Sequence, residues 1–117
     1  MIKMSFDEKD NKSISLFFGA ISNPKRFRIL EVLNEKGPMC VSELQNLLNI
    51  EQSNLSHNLK CLLNCRLVSR EQNGKEKIYN INEDIKVLVN SINEHIKAYD
   101  TYIKSCDIVN PVNTKGR

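Results

Sequence analysis

Ser42-Glu43-Leu44-Gln45-Asn46-Leu47-Leu48-Asn49-Ile50-Glu51-Gln52-Ser53-Asn54-Leu55-Ser56-His57-Asn58-Leu59-Lys60-Cys61-Leu62-Leu63-Asn64-Cys65 is the stretch that decides the fold. Its first four residues read as a capping box, with the Ser42 and Gln45 side chains each satisfying an orphan amide of a helix start. The short helix so opened is expected to bury Leu44, Leu47 and Leu48. Asn49-Ile50 interrupts it for about one turn. A second helix then runs from about Gln52 to Cys65, with Leu55, Leu59, Leu62 and Leu63 as its apolar stripe. Two helices joined by so tight a turn form a helix-turn-helix.

Working outward, Leu67–Gln72 and Lys75–Ile81 flank Asn73-Gly74, a dipeptide that supplies the positive φ angles of a tight hairpin. Ile78, Tyr79 and Ile81 have strand character, so a β-hairpin follows the two helices as a wing. A long helix is expected from Asp84 to about Cys106, with Leu88, Ile92, Ile96, Tyr99 and Ile103 spaced as one apolar seam. On the other side, Ser13–Ser22 carries Ile14, Phe17, Phe18 and Ile21 at helical spacing. Asn23-Pro24 ends that helix and starts another, Lys25–Glu35, which turns Phe27, Leu30, Val32 and Leu33 inward before Gly37-Pro38 stops it. The expected fold is mainly α with a small β-hairpin (α+β), a winged helix-turn-helix. Residues 1–12 form a flexible N-terminal arm, 13–106 the domain and 107–117 a polar tail. So short a chain cannot cover the seam alone, which predicts a homodimer through the first and last helices. Phe17, Ile21, Leu88, Ile92, Ile96, Tyr99 and Ile103 are its expected interface.

Composition narrows the class. The chain has 117 residues, 40% hydrophobic and 26% charged, which suits one globular domain and argues against wholesale disorder. No apolar run approaches the roughly 18 residues needed to cross a bilayer. Asp7, Glu8 and Asp10 stand where a signal peptide would be apolar, so the expected location is cytoplasmic, with no membrane partner. A net charge of +3 neither requires nor excludes nucleic acid. Four cysteines without an export signal argue against a disulfide framework and for buried residues, reactive thiols or metal ligands.

Two groups of residues carry chemistry. Gln52, Ser53, Asn54, Ser56, His57 and Lys60 place hydrogen-bonding groups on the N-terminal half of the second helix, where such a helix meets base edges in the major groove. Gln and Asn side chains can read adenine through two hydrogen bonds. Arg70, Lys75 and Lys77 on the wing are expected contacts to phosphate or the minor groove. A merely solvated polar face is the plain alternative, and the basic wing weighs against it. Double-stranded operator DNA is therefore the expected partner. The second group is Cys61 with Cys65. Residues four apart share one helix face, with Cβ atoms about 5–6 Å apart, so two thiolates can turn to one metal ion. A disulfide wants about 3.8 Å between Cβ atoms, which an intact helix disfavours. Thiolates select soft or borderline ions such as Cd(II), Pb(II), Zn(II) or Cu(I). Cys40 reads as a small buried residue, and His95 as a solvent-facing or interface residue.

The residues resemble the ArsR/SmtB repressors. Ser22-Asn23-Pro24-Lys25-Arg26, Arg28-Ile29-Leu30, Cys40-Val41-Ser42-Glu43-Leu44 and Ser53-Asn54-Leu55-Ser56-His57-Asn58-Leu59 carry the likeness, with Gly74-Lys75 and Ile78-Tyr79 on the wing. The likeness covers about residues 12–106 and implies a dimeric repressor released from DNA by a metal ion or another chemical inducer. Cys61, Cys65 and Cys106 are similar to the ligand set of the cadmium- and lead-sensing CmtR-type branch, which implies metal ligation by those three. One other family site is half lost, since Ser42 stands where a second cysteine is wanted. Another has only His95, with Asn93 in place of an acid. Three sulfurs without an obvious fourth ligand suit Cd(II) or Pb(II) as inducer, while Zn(II) prefers four ligands; no organic cofactor is implied. The alternative is a redox- or sulfide-responsive repressor in which Cys106 bonds to Cys61 or Cys65. An enzyme using a cysteine nucleophile with His57 as base lacks an orienting acid and an oxyanion site, so an enzyme is not expected. A constitutive DNA- or protein-binding winged helix with structural cysteines completes the alternatives.

Overall fold

Asn23 caps the second helix: its side-chain Oδ1 accepts from the amides of Lys25 (2.9 Å) and Arg26 (3.2 Å), and Pro24 occupies the first helical position. This Asn-Pro pair separates α1 (Glu8–Ile21) from α2 (Pro24–Lys36). The computed structural model describes residues 8–110; the expected arm and tail fall partly outside them, at 1–7 and 111–117. Within the described part, α1 begins at Glu8, five residues before its expected start and inside the expected arm. Gly37, at φ 86°, ends α2 and donates its amide to the Leu33 carbonyl. Only glycine takes so positive a φ without a side-chain clash.

A two-residue strand, β1 (Met39–Cys40), precedes α3 (Val41–Leu48) and α4 (Gln52–Asn64). The cap of α3 differs from the expected one. Cys40, not Ser42, is the N-cap, and Glu43, not Gln45, reaches back to accept from the Cys40 amide at 3.0 Å. The box is displaced by two residues because Cys40 is held in extended backbone by strand pairing, leaving Val41 as the first free helical position. Asn49 ends α3 in the left-handed region (φ 52°), a conformation asparagine tolerates, and makes the tight turn into α4.

The wing is β2 (Val68–Asn73) and β3 (Glu76–Ile81), joined by Gly74-Lys75 rather than by the expected Asn73-Gly74, because Asn73 still pairs with Glu76 and only Gly74 takes a positive φ (65°) there. Sequence predicted a two-stranded hairpin; β1 adds a third strand, pairing Met39 with Tyr79 and Cys40 with Ile78, so the antiparallel order is β1-β3-β2. α5 (Glu83–Lys104) closes the described fold with non-helical angles at Tyr99 (φ −123°, ψ 24°). The described residues gather as five helices and a small sheet, a winged helix-turn-helix.

The core is built from Ile29, Leu30, Val32 and Leu33 of α2, Leu44 of α3, Leu55, Leu59 and Leu62 of α4, then Leu67, Val68, Ile81 and Val89. Ile29 is fully buried although the sequence reading left it out, whereas Phe27 only packs against the core. On α3, Leu44 alone is buried. Leu48 is half-buried and Leu47 is 48% exposed, since an eight-residue helix offers the core barely one turn of contact. Ile21, expected at a dimer interface, is buried inside the chain, and Phe17 packs against the same core. Ile14, Leu16 and Phe18 are the exposed apolar residues of α1 instead.

Candidate nucleic-acid interface and thiol site

The buried stripe of α4 turns its opposite face to solvent. Gln52, Ser53, Ser56, His57 and Lys60 are exposed there, and Asn54 is half-buried at the edge facing α2. Between this helix and the wing lies an open groove lined by Gln52, Ser56 and Lys60 on one wall and Arg70, Lys75 and Lys77 on the other. Strand register explains the wing's contribution. Arg70 pairs with Tyr79 and Gln72 with Lys77, so Arg70 and Lys77 share one face, with Lys75 in the turn beside them. Glu71, paired with Ile78, lies on the other. Six of the nine expected contact residues thus line one basic groove. The other three, Ser53, Asn54 and His57, line a shallower cleft between α4 and the start of α2, together with Lys25, Arg26 and Glu51.

Sequence reasoning missed the support behind this surface. Asn58, in the apolar stripe of α4, accepts on Oδ1 from Arg26 Nη1 (3.2 Å) and donates from Nδ2 to the Asn54 carbonyl (3.0 Å) and Asn54 Oδ1 (2.6 Å). Its signal was legible: a polar residue at a position where leucine spacing calls for an apolar one. The end of α4 was also missed. Arg66 is left-handed (φ 62°), with Arg66 N–H donating to Leu63 O and Leu67 N–H to Leu62 O. That pair of bonds is a Schellman cap, which usually advertises itself by a glycine.

The four cysteines divide by environment. Cys40 is buried, with Sγ 3.2 Å from Ser42 Oγ. The hydrogen bond from its amide holds the Glu43 carboxyl below the usual range. Cys61 is half-buried and Cys65 exposed, one turn apart on α4. Partial burial pushes the Cys65 thiol up, the neighbouring Cys61 adds to this, and the Arg26 charge opposes it. Cys106 is half-buried beyond the end of α5. It does not join the other two within one chain. Asn82, which precedes α5, binds Arg66 and Leu67 beside Cys65, while Cys106 follows the far end of a 22-residue helix. A helix of that length measures about 33 Å. Among the described residues no group of three or more His, Cys, Asp or Glu side chains could hold a metal ion. His95 is exposed and rests on the ring of Tyr99, with centroids 4.8 Å apart.

Residues 23–70, which hold α2 to the first wing strand, match the family model of the bacterial regulatory proteins of the arsR family. An HTH-type transcriptional regulator of Methanocaldococcus jannaschii is 32% identical over 88 residues, covering 74% of this chain and 98% of the relative. The chain belongs to the arsR family. The arsenical resistance operon repressor of Bacillus subtilis is 34% identical over 67 residues, which span 57% of this chain and 64% of that protein. A homodimeric winged helix-turn-helix DNA-binding domain from Mycobacterium bovis superposes with a TM-score of 0.70 at 22% identity, covering 82% of this chain and 91% of its own. In this ArsR-family chain no helix among the described residues is long and apolar enough to cross a membrane.

Proposed function

We propose that this chain is a homodimeric transcriptional repressor that holds double-stranded operator DNA through α4 and the wing and lets go when a soft metal ion binds its thiols. The basic groove between Lys60 and the Arg70, Lys75 and Lys77 face is the observation that carries the DNA-binding half. A phosphate backbone fits such a groove, with Gln52, Ser53, Ser56 and His57 directed at bases and phosphates around it. The exposed apolar residues of α1 and α5 support the dimer: Ile14, Leu16 and Phe18 on one helix, Ile96, Tyr99 and Ile103 on the other. Leu88 and Ile92 of the expected seam are half-buried and extend it toward the core.

The adjacent thiols of Cys61 and Cys65 carry the inducer half. Two sulfurs on one helix face suit Cd(II) or Pb(II), with Zn(II) as the ion better served by a fourth ligand. Cys106 supplies the third sulfur from the partner chain, because α5 carries it away from α4 of its own chain. Binding there would tie the end of the reading helix to the dimer helix and misplace the two reading helices for successive major grooves. Coupling of about 1–3 kcal/mol suffices, and DNA must weaken metal binding by the same factor. The test titrates fully reduced protein, free and on DNA, with Cd(II), Pb(II), Zn(II) and arsenite, following ultraviolet thiolate-to-metal charge transfer and DNA anisotropy together. Three-sulfur intensity with DNA release, both lost in Cys61→Ser and Cys106→Ser, is expected. Release that persists in Cys61→Ser defeats the ligand set. Release by oxidants alone moves the reading to a thiol switch.

A further inference from the structure

Asn58 is the one buried polar or charged side chain among the described residues, 4% exposed between Leu55, Leu59 and Leu62. An amide at such a place costs free energy unless it is fully hydrogen-bonded, so its partners hold information. The guanidinium of Arg26 has only donors, which forces the Asn58 oxygen to face it. The Asn58 nitrogen must then face Asn54, which meets it with both its carbonyl and its side-chain oxygen. Because the amide group is planar and two-ended, the Asn54 nitrogen is turned the other way, a donor without an acceptor among these bonds. Arg26 is itself clamped, with Nε donating to Ala20 O (2.6 Å) and Nη2 to Gly19 O (3.2 Å) at the last turn of α1.

We infer that Arg26 and Asn58 are positioning residues that set the polarity of Asn54, so that its Nδ2 donates to a hydrogen-bond acceptor on DNA. The inference rests on the DNA-binding reading above and adds to it. Asn54 opens onto the cleft it shares with Lys25, Ser53 and His57, where a cation and a donor both suit an acceptor oxygen. The carboxylate nearby, Glu51, already accepts from the Ser53 hydroxyl at 2.5 Å. Two-point reading of adenine by Asn54 is replaced by a single outward donor, because the oxygen such reading needs is turned toward Asn58. The acceptor is a phosphate oxygen or a base-edge acceptor, and the two separate experimentally.

A double-mutant cycle on the full chain tests this, with DNA affinity measured on a duplex selected from a random pool and on a scrambled duplex. Asn58→Asp keeps an acceptor for Arg26 but removes the donor, which turns the Asn54 amide over. We expect it to weaken binding roughly ten-fold, as Asn54→Ala also does, with the double variant within about two-fold of Asn54→Ala. An Asn58→Asp loss that is undiminished in the Asn54→Ala background would overturn the inference, since charge or misfolding would act in both. Equal loss on both duplexes identifies a phosphate oxygen; loss confined to the selected duplex identifies a base edge. Should Asn58→Asp fail to fold by circular dichroism, Asn54→Ala alone decides: unchanged affinity overturns the inference, and reduced affinity at wild-type stability upholds it. Wild-type protein without affinity for any duplex defeats the DNA-binding reading instead, before any variant is compared.

Discussion

The helix-turn-helix side and the α1/α5 side of this molecule solve the same packing problem differently. On the first, Leu55, Leu59 and Leu62 are fully buried and the opposite face of α4 is polar, so one chain completes its own core. On the second, Phe18, Tyr99 and Ile103 remain 54%, 49% and 40% exposed on helices that should have no reason to show them to water. Apolar surface of that kind is incomplete until a partner covers it. The contrast separates a helix-turn-helix finished within the chain from a helical face that the proposed second copy would finish.

The largest test of that contrast is Ile96→Glu combined with Ile103→Glu. The pair should convert the dimer to a folded monomer by light scattering and lower operator affinity about 100-fold or more, because two linked half-site contacts become one. An unchanged dimer would break the comparison on the scaffold side. On the reading side, Lys77→Gln should weaken binding to all duplexes by a similar factor. It should also reduce the salt dependence of log K by about 0.9, the signature of one lost phosphate contact. A change confined to one sequence would place Lys77 on a base instead. A smaller effect tests how well α4 is finished. Arg66→Gly removes a side chain from a left-handed cap and should raise stability by about 0.5–1 kcal/mol, read from denaturant midpoints.

The smallest effect concerns the start of α3. The Cys40 amide lowers the Glu43 carboxyl, so the bond stabilises the fold while Glu43 is ionised, above the ordinary carboxylate range, and is lost as pH falls through the lowered value. Wild type should therefore exceed Glu43→Gln slightly in midpoint at pH 7, and the gap should close in acid. A gap that widened in acid would mean the carboxylate is not the stabilising form. This cap also shows where local reading stops. Ser42-Glu43-Leu44-Gln45 has the residues of a capping box, yet the helix begins earlier because Cys40 is pinned by Ile78 across the sheet. β1 itself was illegible for the same reason: two residues have no periodicity, and only the open edge of β3 makes them a strand.

The thiols and the contact residues divide likewise. Cys61 and Cys65 could be paired from their spacing, since a helix carries its own geometry, whereas the shared face of Arg70 and Lys77 follows only from the strand register. Asn58 was visible as an anomaly but not as a link to Arg26, thirty-two positions earlier. By itself the sequence determined the periodic elements, their order, the helical thiol pair and, one residue early, the hairpin turn, because these follow from interactions within a few residues. Only the tertiary structure decided which cap opens α3, that Ile21 belongs to the core rather than the surface, and that the start of α5, not the end bearing Cys106, meets the loop beside Cys65. Each depends on where distant segments meet, which local periodicity does not encode.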